Sequence, residues 1–165
     1  MRISCKLSAP SRLVVSLVLA TTITPQVMGS FPGLLPFPRH YVVSKIQLNE
    51  SAPILDGRLN DPAWVAAPWT EDFVDIQGNS VAPAPYYRTR AKMRWDEKWL
   101  YVGAELQDEA LWANQTSHDD VVFLDNDFEV FVDPSGSCRH YLELEANVIN
   151  TTWWLTLTKP YADGG

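Results

Sequence analysis

Cysteine is nearly absent. Only Cys5 and Cys138 occur, so neither a disulfide framework nor a thiolate zinc cluster can hold this chain together. Glycine is sparse as well, with 8 residues in 165, and none of them builds a phosphate-cradling loop. No EF-hand spacing and no ordered Ser/His/Asp set appears. Basic charge is scarce: 13 Lys and Arg stand against 20 Asp and Glu, for a formal charge of −7. That balance argues against nucleic acid or an anionic membrane as a partner, because phosphate binding runs on Lys/Arg clusters. No apolar run approaches the roughly 20 residues a bilayer span needs.

What is present is aromatic and secretory in character. Seven tryptophans contribute to an aromatic content of 12%, and the length suits one domain with a real core. Residues 1–29 read as a signal peptide. Arg2, Lys6 and Arg12 form a basic start, Leu13 to Ala20 supplies a short apolar run, and Val27-x-Gly29 offers small residues for cleavage. Cleavage there leaves 10 basic against 20 acidic residues, a net −10, and Cys138 as the one mature cysteine. The mature chain is expected outside the cell, or in the periplasm of a bacterium. Residues 30–40 are a Pro-rich linker, and 41–165 form the folded domain.

The domain is organised around Asp125 to Thr158. Asp127 to Val132 and Tyr141 to Asn147 both alternate with period two around Pro134-Ser135-Gly136-Ser137, which predicts a β-hairpin. Phe128, Val130 and Val132 share one face of the first arm, and Leu142, Leu144 and Ala146 share one face of the second. The other face carries Asp127, Glu129, Phe131, Tyr141, Glu143, Glu145 and Asn147. With the turn centred near Gly136, Glu129 would face Glu143 and Asp127 would face Glu145. Like charges opposed across a sheet destabilise it. A basic neighbour, a metal ion or a hydroxyl-rich ligand is therefore expected there; a solvated outer face is the plain alternative.

Elsewhere the pattern is also mostly β. Strands are expected at Tyr41–Leu48, Pro53–Gly57, Trp69–Ile76, Tyr87–Trp95, Trp99–Gln107 and Thr151–Thr158. One short helix, Ala63 to Ala67, follows an Asp61-Pro62 cap, with Trp64 as a core plug. Arg88, Arg90, Lys92 and Arg94 occupy alternate positions, so one strand face is basic and is expected beside the acidic hairpin. Asp108 to Leu124 has no clean period and reads as a long loop. Within and beyond it, Asp119, Asp120, Asp125 and Asp127 are candidate ligands for calcium.

Four blocks together resemble carbohydrate-binding module family 9: Ile54-Leu55-Asp56-Gly57 through Trp64, Met93-Arg94-Trp95-Asp96 through Val102, Asp127 through Asp133, and Tyr141 through Asn147. The resemblance implies an all-β, jelly-roll-like antiparallel sandwich, here incomplete at the C-terminus, whose ligand is a polysaccharide or oligosaccharide gripped between aromatic rings. It also implies structural calcium. Glu129 and Asn147 match the family's sugar-contacting glutamate and asparagine. Phe123 stands where a tryptophan is usual, and Glu145 stands where some binding members carry a basic residue. The second gripping ring belongs to the family's C-terminal third.

The reading is a secreted, non-catalytic carbohydrate-binding module, accessory to hydrolases of O-glycosyl bonds in carbohydrate breakdown. Its expected site is Phe123, Glu129, Glu143, Glu145 and Asn147. Two alternatives stand beside it: a glycoside hydrolase using Glu129 and Glu143, whose carboxyls would lie about 5 Å apart as in a retaining enzyme, and a sandwich that has lost its ligand.

Overall fold

Period-two alternation becomes two sheets. The computed structural model describes residues 2–8, 39–76 and 83–165. Strands β1 (Arg2–Ser8), β2 (Ser44–Lys45), β3 (Thr89–Trp95) and β4 (Trp99–Leu106) form one sheet, in the order β1-β4-β3-β2. Strands β5 (Asp127–Val132), β6 (Tyr141–Asn147) and β7 (Thr152–Leu157) form the other, in sequence order. With one short helix, α1 (Pro62–Val65), this is the all-β sandwich expected. Most of the expected leader and linker lies outside the described residues; Arg2–Ser8 pairs antiparallel with β4.

Several strand expectations contract. Tyr41–Leu48 shrinks to Ser44–Lys45, which runs parallel to β3, unlike every other pairing. After Ile46 donates to Trp95 O at 2.8 Å, the chain turns away through the Glu50 N to Gln47 O bond of 3.0 Å. Pro53–Gly57 is not a strand. Its backbone is claimed by side chains: Ile54 N donates to Asp61 Oδ2 at 3.2 Å and Arg58 N to Asp56 Oδ1 at 2.9 Å. Trp69–Ile76 gives β3 two backbone bonds, Thr70 N to Ala91 O and Phe73 N to Thr89 O, both 2.8 Å, while Ala91 N donates to the Thr70 side chain instead, at 3.0 Å. Thr70 and Phe73 are three residues apart where an antiparallel ladder requires two, so no regular strand forms.

The β3–β4 pair serves two cores. On one face, buried Ala91, Val102 and Ala104, with Met93, Leu100 and Leu106, meet Phe128 and Val130 of β5. Phe73 stacks on Phe128 at 6.2 Å. On the other face lies α1. Asp61 caps it by accepting from Ala63 N at 3.0 Å and Trp64 N at 3.2 Å. Trp64 is fully buried among Ile46, Leu59 and Tyr101, as the sequence predicts. The indole lies flat because β4 has no side chain beneath it: a Cβ at Gly103 would stand 3.2 Å from the Trp64 ring and 2.7 Å from Leu59 Cδ2.

The basic stripe does share one face, but not the expected neighbour. Its partners are on its own sheet and on the helix-side loops. Arg88 and Arg90 bind Glu105 at 3.0 and 3.1 Å. Lys92 Nζ donates to Trp64 O at 2.7 Å, and Arg94 to Ala63 O at 3.3 Å and Glu50 at 2.6 Å. Positive charge thus gathers at the C-terminal carbonyls of α1, where Trp64 O also accepts from Ala67 N at 3.2 Å. Arg90 and Lys92 also lie over the Trp69 ring, at 4.0 and 4.4 Å. Burial, then the neighbouring Arg90, lowers the Lys92 pKa.

The incomplete C-terminus expected from the resemblance is not evident in the fold. After β7 a 3-10 turn, Tyr161–Asp163, ends on left-handed Gly164 (φ 80°) and folds back along the sheet.

Replacing Trp64 with Ala should cost about 3–5 kcal/mol, the range for emptying a large aromatic site, and Gly103→Val should destabilise by forcing the indole off β4. Urea titrations followed by circular dichroism measure both; a Trp64→Ala cost under about 1 kcal/mol would contradict the packing described.

Candidate functional site

Alternation along β5 divides its side chains between two environments. Phe128 and Val130 point into the sandwich, so Asp127, Glu129 and Phe131 point out. The partner strand obeys the same rule, so the expected polar side exists, but its β6 half is buried rather than wet: Glu143, Glu145 and Asn147 are 3%, 2% and 1% exposed. Its register differs from the expectation. Asp127 pairs with Asn147, Glu129 with Glu145, and Phe131 with Glu143. The cause is the loop. Asp133 accepts from Ser135 N at 3.0 Å, Gly136 N at 2.9 Å and Cys138 N at 2.6 Å, while Cys138 and His140 adopt positive φ of 57° and 54°. This carboxylate-centred loop displaces the turn centre by one residue. Facing partners then shift by two, and every side chain keeps its side.

Three carboxylates converge. Ligand oxygens of Asp127, Glu129 and Glu145 all lie within 4.8 Å of one another. Glu129 is exposed, whereas Glu145 is 2% exposed. Asp127 Oδ2 and Glu145 Oε2 are buried without a hydrogen-bond partner. Burial, followed by the charges of Asp127, Glu129 and Glu143, pushes the Glu145 pKa up to about 7. Burial likewise raises Asp127 and Glu129, with like-charged neighbours adding to it. Among the described residues no basic side chain forms an ion pair with this cluster.

Glu143 is also on this face but is turned to a different partner. Tyr161, from the C-terminal 3-10 turn, donates its hydroxyl to Glu143 Oε2. That bond, then burial, raises the tyrosine pKa. The expected Glu129–Glu143 opposition therefore does not occur, and the carboxylate pair assigned to a retaining hydrolase is not formed as expected.

Asn147 is 1% exposed, and its amide is fully engaged. Nδ2 donates to Gln115 O at 2.8 Å and Asp125 Oδ2 at 2.9 Å; Oδ1 accepts from Ile149 N at 3.2 Å and Thr151 N at 2.9 Å. It ties the long loop to the sheet. Asp125 completes that tie by accepting from Asn114 N at 3.0 Å and Gln115 N at 2.9 Å. Burial opposes ionisation of Asp125, but these donors outweigh it and hold the pKa down. Asp120 accepts from Thr116 N and Ser117 N at 3.0 and 2.7 Å, and Asp119 pairs with His118 at 2.8 Å. Of the four aspartates expected as calcium ligands, only Asp127 has joined a carboxylate group.

The loop ends in a 3-10 turn, Val122–Leu124, that buries Val122 and turns Phe123 outward, 54% exposed. Its ring lies 5.5 Å from that of Trp153, tilted by 41°. Trp153 pairs directly with Glu145 across β6 and β7, so the two rings adjoin the acidic cluster. The expected site did not include Trp153, Asp127 or Tyr161. The signal for Trp153 was the tight turn at Asn150 (φ 66°), which fixes the β7 register. Two surface depressions lie elsewhere, one lined by Arg39, Tyr41, Thr70 and Phe73, the other by Phe73, Tyr86 and Gln107. No helix among the described residues is long and apolar enough to cross a membrane.

A family model described as carbohydrate family 9 binding domain-like matches residues 54–154, more than half of the chain. Comparison with curated proteins and with solved structures gives no match.

Because Glu145 prefers its neutral form in the folded state, its contribution to stability is fully present below the ordinary carboxyl pKa and is lost as pH rises through about 7. In metal-free buffer the wild type should lose on the order of 3 kcal/mol between pH 4.5 and 8 relative to Glu145→Gln. Thermal melts across that range check this, and identical pH slopes for the two proteins would refute it. Asn147→Ala, which strands donors and acceptors on two loops, should destabilise by about 2–4 kcal/mol; chemical denaturation reads the loss.

Proposed function

The chain belongs to the carbohydrate family 9 binding domain-like family, and from that we propose a secreted module that holds sugar chains on its outer β5–β6–β7 face as an accessory to hydrolases of O-glycosyl bonds. The leader pattern supports an extracellular place of work; its removal would take β1 away and leave β4 as the edge of its sheet. The observation that carries the binding reading is the ring pair: Phe123 and Trp153, 5.5 Å apart, stand at the margin of a strand pair that presents carboxylates. Rings supply flat apolar area for the faces of a pyranose, and carboxylate oxygens accept from its hydroxyls.

Within the expected set the structure motivates a division of labour. Phe123 and Glu129 are exposed and are the contact residues, joined by Trp153. Glu143 and Glu145 lie beneath them, and Asn147 is a positioning residue that holds the Phe123 loop in place through Asp125. This arrangement is an open platform, suited to holding a chain without cleaving it.

Titration of the protein with neutral oligosaccharides should change intrinsic tryptophan fluorescence saturably and release no product. Phe123→Ala and Trp153→Ala should each weaken binding about tenfold, or about 1.4 kcal/mol. Silence of the wild type across a broad glycan panel would leave a sandwich without a sugar ligand. Product formation abolished by Glu129→Gln would identify a hydrolase instead.

A further inference from the structure

The outer face carries more rings than Phe123 and Trp153. Phe131 follows Glu129 by two residues on β5 and so stands on the same side of the sheet. It is exposed, and its ring lies 6.2 Å from that of Tyr141 on β6, tilted by 50°. Tyr161, exposed as well, is tied by its hydroxyl to Glu143, the residue that pairs with Phe131. The core does not use these rings: β5 meets β3 and β4 through Phe128 and Val130. Apolar area left exposed and gathered on one face marks a contact surface.

Register sets the spacing of the two ring pairs. Trp153 pairs with Glu145 from the β7 side, and Phe131 pairs with Glu143 from the β5 side. They therefore flank β6 on opposite sides, at levels two residues apart. Two residues of strand and two strand spacings place their Cα atoms about 12 Å apart. One sugar ring cannot cover both. Between them the carboxylates of Glu143 and Glu145 form a buried floor, and Glu129 reaches the surface. Among the described residues no basic side chain forms an ion pair with these three glutamates. Such a floor accepts from neutral hydroxyls and repels an anionic sugar.

We propose that Phe131 and Tyr141 form a second stacking subsite, so that this face takes a neutral sugar chain lengthwise, along its interior, instead of by an end. The subsite rests on the sugar-binding reading above and specifies its ligand. A chain already stacked on Phe123 and Trp153 brings its later units to Phe131 without a second encounter, so affinity grows with length until both pairs are covered. Tyr161, fixed over Glu143, extends the line of rings between them.

The full chain is titrated with neutral oligosaccharides of increasing length, each with its reducing end intact and then reduced to the alditol. Tryptophan fluorescence and calorimetry follow binding. Expected is affinity that climbs with length and then levels off, with end reduction making no difference to the longer chains. Phe131→Ala should weaken the longer chains about tenfold and leave the shortest bound sugar unchanged, whereas Trp153→Ala weakens both. Phe131 is exposed, so its variant keeps the fold, and the length series needs no variant at all. Equal affinity for short and long chains, loss of binding on end reduction, or indifference of long chains to Phe131→Ala would overturn the second subsite while leaving sugar binding in place. A wild type that binds no neutral glycan of any length removes the sugar reading and the subsite with it.

Discussion

Burial of Phe128 in the apolar face of β3 and β4 is the constraint on which the outer face depends. A strand has only two sides, and committing Phe128 and Val130 to the sandwich obliges Asp127 and Glu129 to look outward. The same obligation on β6 brings Glu143 and Glu145 into line with them. The acidic face is thus a geometric consequence of the core, and only the register decides which acids meet. That register is set by Asp133, whose carboxylate gathers the backbone of the loop.

Charge is handled in two opposite ways in this fold. Buried Lys92 and Arg94 are placed against helix carbonyls and, for Arg94, Glu50, so that each has a partner of the right sign or dipole. Asp125 is likewise surrounded by donors. The outer cluster lacks such provision within the chain's described residues. Satisfaction is not complete on either face: Nε of Arg90 and of Arg94 is buried without a partner, as are Asp127 Oδ2 and Glu145 Oε2.

Much of this was legible in advance, for local reasons. Asp61-Pro62 announces a capped helix, Trp64 is too large and apolar to remain outside, and the alternation of β3 to β6 assigns each residue to a face. What could not be read were relations set by tertiary contacts. The basic stripe has the right period for a partner of the acidic hairpin, yet period does not say which sheet lies alongside; α1 occupied it. Facing pairs were misplaced by two because a loop led by an aspartate and containing left-handed Cys138 and His140 does not close as its Ser-Gly dipeptide implies. Asn147 carries the right chemistry for a hydroxyl ligand, but only the folded chain reveals that four protein groups already use its amide. Trp153 becomes relevant once β7 is seen beside β6.

The seat of Lys92 has a practical consequence. Its ammonium is roofed by the Trp69 ring and bound to Trp64 O, while Lys98 at the β3–β4 turn stands in open water. Acylating reagents will modify Lys98 at once and reach Lys92 only when the helix lifts from the sheet. The ratio of the two adducts in a peptide map is therefore an intrinsic gauge of local breathing, and it needs no engineered label.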